Sequence, residues 1–157
     1  MTTTQTSVIL VPVDGSAGSH KALALAAELA TRMGVDLQLL YAFPADAMEI
    51  LGPLGDVVSS EQLKLLNPDN FNKLRDDSAA KVFAEARANL DAAARDRTTD
   101  VLLAGDPAEA ILKHARDQAQ PLIIVGSRGM SRVKEMMLGS VSQRLVHRAN
   151  CPVTVVH

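Results

Sequence analysis

The chain has 157 residues, of which 47% are hydrophobic and 22% charged, a composition typical of one globular domain with a substantial core. The formal net charge is −2 and no long block of one sign occurs, so neither nucleic acid nor an anionic membrane is expected as the main partner. The sequence lacks a basic, apolar signal peptide and an apolar stretch of about 20 residues, and its one cysteine, Cys151, suits a reducing compartment, so a cytoplasmic protein is expected.

The first part of the chain predicts a βαβ unit. Residues 7–13, SVILVPV, are typical of a buried strand and end in the turn sequence Asp14-Gly15-Ser16. Residues 17–33 place apolar side chains at helical spacing, and Gly34 follows as the expected helix stop. Residues 37–43, LQLLYAF, form the second strand, so the two strands should pair in parallel through a right-handed crossover.

Residues 44–75 interrupt this regular pattern. The segment contains three prolines and two glycines and cannot be one regular element. Within it, residues 59–66 predict a short helix with a capping box formed by Ser59 and Gln62. Apolar side chains of the insertion need burial, and three interpretations remain open: they pack on the domain core, close over a site as a lid, or contact another subunit.

The rest of the chain alternates helix and strand. The predicted elements are a helix over residues 76–95, a strand over 100–104, a helix over 108–118 opened by Pro107, a strand over 122–125, a helix over 140–148 and a strand over 152–156. Five strands alternating with helices predict an α/β fold with a parallel sheet.

Glycines cluster after the fourth strand. Gly126 and Gly129 follow this strand, and a second break at Gly139 and Ser140 comes nine residues later. Ser140 and Gln143 predict a capping box with Ser140 as the helix N-cap. Glycines leave backbone N–H groups unshielded, and a helix N-terminus attracts anions. With positive charge from Arg128, Arg132 and Lys134 in the same stretch, this layout indicates a phosphate-binding loop.

Gly126, Gly129, Gly139 and Ser140 match the pattern G-2x-G-9x-G-S/T, in which the chain resembles the ATP-binding universal stress proteins. The resemblance covers the chain outside residues 44–75. It implies one domain over residues 1–157 with a long insertion at 44–75, and a Rossmann-like, open five-stranded parallel sheet with helices on both faces and strand order 3-2-1-4-5. A ligand is then expected outside the carboxyl ends of strands one and four, where the strand order reverses.

The resemblance also implies roles for individual residues. The four motif residues are expected to hold the triphosphate of ATP, with AMP and ADP left open and a Mg or Mn ion bound through the phosphates. Further contacts are expected from the rest of the loop and the first helical turn: Ser127, Arg128, Met130, Ser131, Arg132, Val141 and Ser142.

The base and sugar are assigned by resemblance to the ends of three other strands. Pro12, Val13 and Asp14 resemble the family's P-x-D segment, which flanks adenine and ribose. Asp14 either accepts hydrogen bonds from ribose hydroxyls or serves as a turn-former and N-cap. Ala42 is expected to meet adenine through its backbone, and Gly105 to border the base.

Other nucleotide and catalytic signatures are absent from the sequence. There is no G-x-x-x-x-G-K-S/T loop, no G-x-G-x-x-G fingerprint and no G-x-S-x-G elbow. A loop suited to bind phosphate, with no evident general base beside it, predicts an ATP-binding regulatory or stress-response protein rather than a fast enzyme. Two alternatives remain: a slow ATPase or self-phosphorylating protein with Ser140 or Ser142 as acceptor, and an interaction module without nucleotide.

A homodimer is also expected. In the implied strand order the last strand, residues 152–156, is a sheet edge, and an uncovered apolar edge favours pairing with a second copy. Many family members dimerise through this strand. The sequence does not identify any other protein partner.

Overall fold

The computed structural model describes residues 5–52, 59–130 and 138–157. In these ranges the chain forms five strands: β1 (Val8–Pro12), β2 (Asp36–Phe43), β3 (Thr98–Ala104), β4 (Pro121–Gly126) and β5 (Val153–Val156). The α-helices are α1 (Ala17–Met33), α2 (Ala47–Leu51), α3 (Ser60–Leu63), α4 (Pro68–Ala88), α5 (Ala92–Asp96), α6 (Pro107–Arg116) and α7 (Ser140–Arg148), with a 3-10 turn at Lys64–Leu66. No helix in these ranges is both long and apolar enough to cross a membrane.

All five strands belong to one parallel sheet with the order β3-β2-β1-β4-β5, which confirms the predicted topology. β1 is the central strand, and its first residue, Val8, pairs with Asp36 of β2 on one side and with Pro121 of β4 on the other. Strands covered on both faces need continuous apolar sequence, and the side chains of Ile9, Leu10 and Val11 are completely buried.

Helices cover both faces of the sheet. Ile9 and Val11 point to a core layer that also contains residues of α1, α4 and α5, whereas Leu10 points to a second layer with residues of α6 and α7. The connections that leave β1 and β4 therefore run to opposite faces. A crevice opens between the carboxyl ends of these two strands, as expected at a topological switch point.

The predicted helix over residues 76–95 was wrong at both ends. α4 already begins at Pro68, because the side chain of Asn67 caps it by accepting a bond from the Asp69 N–H and Pro68 suits the first helical position. It ends at Ala88, and α5 starts separately with Asp91 as its cap. Residues 68–75, predicted to belong to the irregular insertion, are thus helical.

Among the described residues of the insertion, Phe71 contributes to the core. The ring of Phe71 packs 5.8 Å from that of Phe43, centroid to centroid, and is buried. Met48 and Ile50, in contrast, are 44% and 38% exposed, so core packing does not account for them. The predicted capping box is confirmed, since Ser59 and Gln62 exchange both of its bonds. Leu54, Val57 and Val58 lie outside the described residues.

Candidate ligand-binding site

A cleft of about 190 Å³ opens at the carboxyl ends of β1 and β4. Its walls come from the loop after β1, the end of β2, the start of α6, the loop after β4 and the first turn of α7. The cleft thus forms at the switch point that the sheet order creates.

The structure brings most of the predicted site residues together. The predicted residues that line the cleft are Pro12, Val13, Asp14, Ala42, Gly126, Arg128, Gly129, Met130, Gly139, Ser140, Val141 and Ser142. Gly105 and Ser127 are not among the lining residues. Gly105 follows β3, an edge strand, and its N–H donates to the carbonyl of Phe43, 2.8 Å away. Ser131 and Arg132 lie outside the described residues.

Sequence reasoning missed seven lining residues: Ser16, Ser19, Leu40, Tyr41, Pro107, Ile111 and Val125. Leu40 and Val125 belong to strands and look like ordinary core positions. Pro107 and Ile111 come from α6, which shares a core layer with α7. The sequence did contain a signal for Pro107 and Ile111, because the helix that follows the third strand must pack against one face of the same sheet.

One wall of the cleft is apolar. Four side chains that belong to, or pack on, the α6–α7 core layer also line the cleft: Leu40, Ile111, Val125 and Val141. Ala42 adds a small side chain near the end of β2. An apolar wall of this kind binds a flat, weakly polar group well, while polar groups elsewhere in the cleft orient it.

The N-terminus of α7 forms another part of the cleft lining. Gly139, in extended conformation (φ −70°, ψ 163°), is the N-cap, and no side chain caps the helix. The predicted capping box of Ser140 and Gln143 is therefore wrong: Ser140 is already the first helical residue, and the chain enters the helix one position earlier. The first N–H groups of α7 have no acceptor within the helix.

This uncapped start is unusual in the part of the chain that the structure describes. Each of the other six α-helices there has a side-chain cap: Ser16, Asp46, Ser59, Asn67, Asp91 or Asp106. At α7, the N–H groups that find no acceptor within the helix, at the positive end of its dipole, belong to residues that line the cleft.

Two serines tie the loop after β4 to α7. The carbonyl of Ser127 accepts bonds from the Gly139 N–H (2.6 Å) and the Ser142 hydroxyl (2.9 Å), and the Ser127 N–H donates to Val156 of β5 (2.7 Å). Ser142 is 2% exposed, and its Oγ also lies 3.0 Å from the carbonyl oxygen of Gly139. The Ser142 hydroxyl is thus engaged in the fold and is not a free phosphoryl acceptor.

Two motif glycines allow close approach between backbone and neighbouring groups. A Cβ atom on Gly126 would lie 2.5 Å from the carbonyl carbon and oxygen of Gly18, and one on Gly18 would lie 2.2 Å from the Arg128 oxygen. A Cβ on Gly129 would lie 2.7 Å from Oδ2 of Asp14. Gly126 therefore lets α1 pack against the end of β4, and Gly129 lets the loop pass the Asp14 carboxylate.

Asp14 and Tyr41 are two ionisable residues that line the cleft close to each other. Oδ1 of Asp14 accepts a bond from the Ser16 N–H at 2.9 Å, so Asp14 forms the turn, while Ser16 caps α1. Burial raises the pKa of the Tyr41 hydroxyl, and the negative charge of Asp14 raises it further. Within the described ranges, no group of three or more His, Cys, Asp or Glu side chains forms a metal site.

These features define the class of the protein: a doubly wound α/β protein with a glycine-lined cleft at its switch point. The chain belongs to the universal stress protein family, whose model matches residues 6–157. The universal stress protein YxiE of Bacillus subtilis is 35% identical over 153 residues, which cover 94% of this chain and 97% of YxiE.

Solved structures share the fold. The universal stress protein UspA from Lactobacillus plantarum has a TM-score of 0.73 and 23% identity, and the match covers 98% of this chain and 99% of that one. A universal stress protein in complex with cAMP has a TM-score of 0.62 and 22% identity, with 98% of both chains covered. A further member, from Archaeoglobus fulgidus, was solved in complex with dAMP (TM-score 0.55, 18% identity, 99% and 100% covered).

Proposed function

We propose that this universal stress protein binds ATP in the cleft and acts as a nucleotide-dependent regulatory protein in a stress response. The observation that carries the proposal is the N-terminus of α7, which has no side-chain cap and lines a cleft that also has an apolar wall. Unpaired N–H groups at a helix start favour phosphate oxygens, and an apolar wall favours a base.

The lining residues fit the parts of a nucleotide in order. The base would lie against Leu40 and Ala42 of β2 and against Ile111 of α6. Asp14 uses Oδ1 to accept the Ser16 N–H, which leaves Oδ2 able to accept from ribose hydroxyls. The phosphates would then lie at the start of α7, with Arg128 close by.

Relatives support an adenine nucleotide in particular. Two structures with this fold were solved with cAMP and with dAMP, which share adenine and one phosphate. The match to the phosphate motif at Gly126, Gly129, Gly139 and Ser140 favours a longer phosphate chain in this protein.

A divalent ion would be held mainly by the nucleotide. The described residues contain no cluster of metal-ligating side chains, and Asp14 is the one carboxylate among the lining residues described. Mg²⁺ commonly binds through substrate phosphates and a few carboxylates while keeping several waters. Such an ion would neutralise phosphate charge that would otherwise repel Asp14.

The site supports binding better than catalysis. Fast phosphoryl transfer requires a positioned nucleophile and a base, and no histidine occurs among the described lining residues. A single-turnover assay with labelled ATP tests this point: we expect a rate close to that of spontaneous hydrolysis. Rapid release of phosphate, or label on Ser140, would favour the alternative of an ATPase or self-phosphorylating protein.

Calorimetry with ATP and Mg²⁺ tests binding directly. In Ala42→Phe the added ring would occupy the apolar part of the cleft, and we expect at least a tenfold loss of affinity. The matched control is Ala104→Phe, the same substitution on the neighbouring edge strand, outside the cleft. Equal affinities for the two variants, or no heat with the wild type at millimolar ATP, would contradict the proposal.

We further propose a homodimer formed through β5. β5 is one edge of the sheet and carries three valines that are only half-buried. The other edge, β3, is protected near its start, because Arg87 pairs with Asp100 (2.9 Å) and donates to the carbonyl of Thr98 (2.8 Å). Sedimentation should give a dimer at micromolar concentration, and Val155→Asp a monomer. A monomeric wild type would contradict this part of the proposal.

A further inference from the structure

A network of ion pairs joins the two helices that flank the cleft. Arg144 of α7 lies 2.9 Å from Oδ2 of Asp106 and 2.7 Å from Oε1 of Glu109, both at the start of α6. Arg148, one turn further along α7, pairs with the same Glu109 oxygen. The guanidinium of Arg144 thus bridges two carboxylates of the neighbouring helix.

Asp106 has two functions in this network. Its Oδ1 accepts a bond from the Glu109 N–H at 3.0 Å and so caps α6, while its Oδ2 pairs with Arg144. Arg144 is therefore attached to the helix terminus itself. Asp106 precedes Pro107, a lining residue of the cleft, and Arg144 lies one turn after Ser140, another lining residue.

The charges reinforce one another. The bond to Arg144 is the main reason that the pKa of Asp106 lies below its usual value, and bonds to Arg144 and Arg148 lower the pKa of Glu109. Asp106, Glu109 and Arg144 therefore stay charged near neutral pH, so the bridge persists under ordinary conditions.

We propose that Arg144 is a positioning residue, which fixes the distance between the starts of α6 and α7 and thereby the width of the nucleotide cleft. This inference rests on the proposed function. The middles of both helices are held by buried side chains, Ile111 on α6 and Leu145 on α7. The Arg144 bridge adds a connection across the surface between the cap of α6, whose first turn lines the cleft, and the position one turn after the start of α7.

Arg144→Met tests the inference, with Arg148→Met as the matched control. Both variants remove one guanidinium from α7, but Arg148 does not contact the cap of α6. Partly exposed ion pairs contribute little singly, so we expect Arg144→Met to weaken ATP binding about three- to tenfold. The affinity of Arg148→Met should stay within about twofold of the wild type.

Hydrogen exchange supplies a measurement that needs no nucleotide. The Ala110 N–H donates to the Asp106 carbonyl, and the Gln143 N–H to that of Gly139, so these amides report the first turns of α6 and α7. Both should exchange faster in Arg144→Met and be unchanged in Arg148→Met. The amide of Leu145, deeper in α7, should be unchanged in both variants.

A double-mutant cycle separates positioning from a general loss of charge. If Arg144 acts through Asp106, Asp106→Asn and Arg144→Met together should weaken ATP binding no more than the stronger single substitution. Additive losses, or faster exchange without a loss of affinity, would overturn the inference. If the wild type binds no ATP, the proposed function fails. In that case hydrogen exchange still tests the bridge: unchanged exchange of the Ala110 and Gln143 amides in Arg144→Met would refute a positioning role of Arg144.

Discussion

Gly126→Ala and Gly18→Ala should destabilise the protein to a similar extent, although only Gly126 belongs to the phosphate motif. An added Cβ on Gly126 would lie 2.5 Å from backbone atoms of Gly18, and one on Gly18 would lie 2.2 Å from a backbone oxygen of Arg128. Ordinary carbon contacts begin near 3.5 Å, so each methyl overlaps its neighbour by about 1 Å. Since the obstructing atoms are backbone, α1 must move away from the end of β4 and from the loop that follows it.

The size of the effect follows from overpacking in a close-packed interior. Added methyl groups of this kind cost about 1–3 kcal/mol and occasionally more, and a backbone obstruction without rotamer freedom should give the upper end of that range. For a chain of this length, the melting temperature should fall by about 6–12 °C.

Gly139→Ala is the matched control. A Cβ there would lie 3.4 Å from the nearest atom, the Ser127 oxygen, and Gly139 has a negative φ, so no backbone obstruction arises. Its cost should stay near 0.5–1 kcal/mol, roughly the difference between glycine and alanine at an N-cap. Urea denaturation followed by circular dichroism measures all three variants. If Gly126→Ala cost no more than Gly139→Ala, the packing role of Gly126 would be refuted.

Two titrations supply further predictions. Tyr41 is the one tyrosine of the chain, and burial followed by the Asp14 charge raises its pKa, so the phenolate absorbance should appear above pH 10 in the native protein and at lower pH in urea. The neutral phenol therefore stabilises the fold at all lower pH, and this contribution to stability is lost as the pH rises through the native pKa of Tyr41. Asp14→Asn should remove only the smaller part of the pKa shift. Identical titrations of the native and the urea-unfolded protein would contradict this explanation. Burial lowers the pKa of His114, whose Nε2 lies 2.7 Å from Oε1 of Gln38, so its contribution to stability is present above pH 6.5 and is lost as the pH falls below it. The free energy of unfolding should decrease between pH 7 and pH 5 in the wild type and less in His114→Gln, and equal slopes for the two proteins would argue against the burial of a neutral imidazole.

The fold could be predicted because its signals are local and repeated. Buried parallel strands are continuous apolar runs, as in residues 7–13 and 122–125, and their alternation with helices leaves few arrangements. The strand order itself came from family resemblance, since apolar patterning does not distinguish neighbours in a buried sheet. Helix boundaries were less predictable at α4, where Asn67 and Pro68 outweighed the irregular composition around them.

The candidate site was predicted where backbone chemistry defines it. The glycines and the start of α7 are visible as spacings, whereas Pro107 and Ile111 reach the cleft only through the packing of α6. Gly18 had no signal of its own, because its partner Arg128 is more than a hundred residues away. The capping box predicted at Ser140 does not form, because Gly139, whose N–H donates to the Ser127 carbonyl, is the N-cap and Ser140 is already helical.

The most direct test of nucleotide binding is an amide chemical-shift titration of the nitrogen-15-labelled protein with ATP and Mg²⁺. The largest changes should occur at Gly139, Ser140, Val141 and Ser142 and in the loop from Gly126 to Met130, with smaller changes at Ala42. The amides of β3, at the far edge of the sheet, should stay unchanged. Saturable shifts confined to other surfaces, or none at millimolar ATP, would contradict the proposal that this cleft binds the nucleotide.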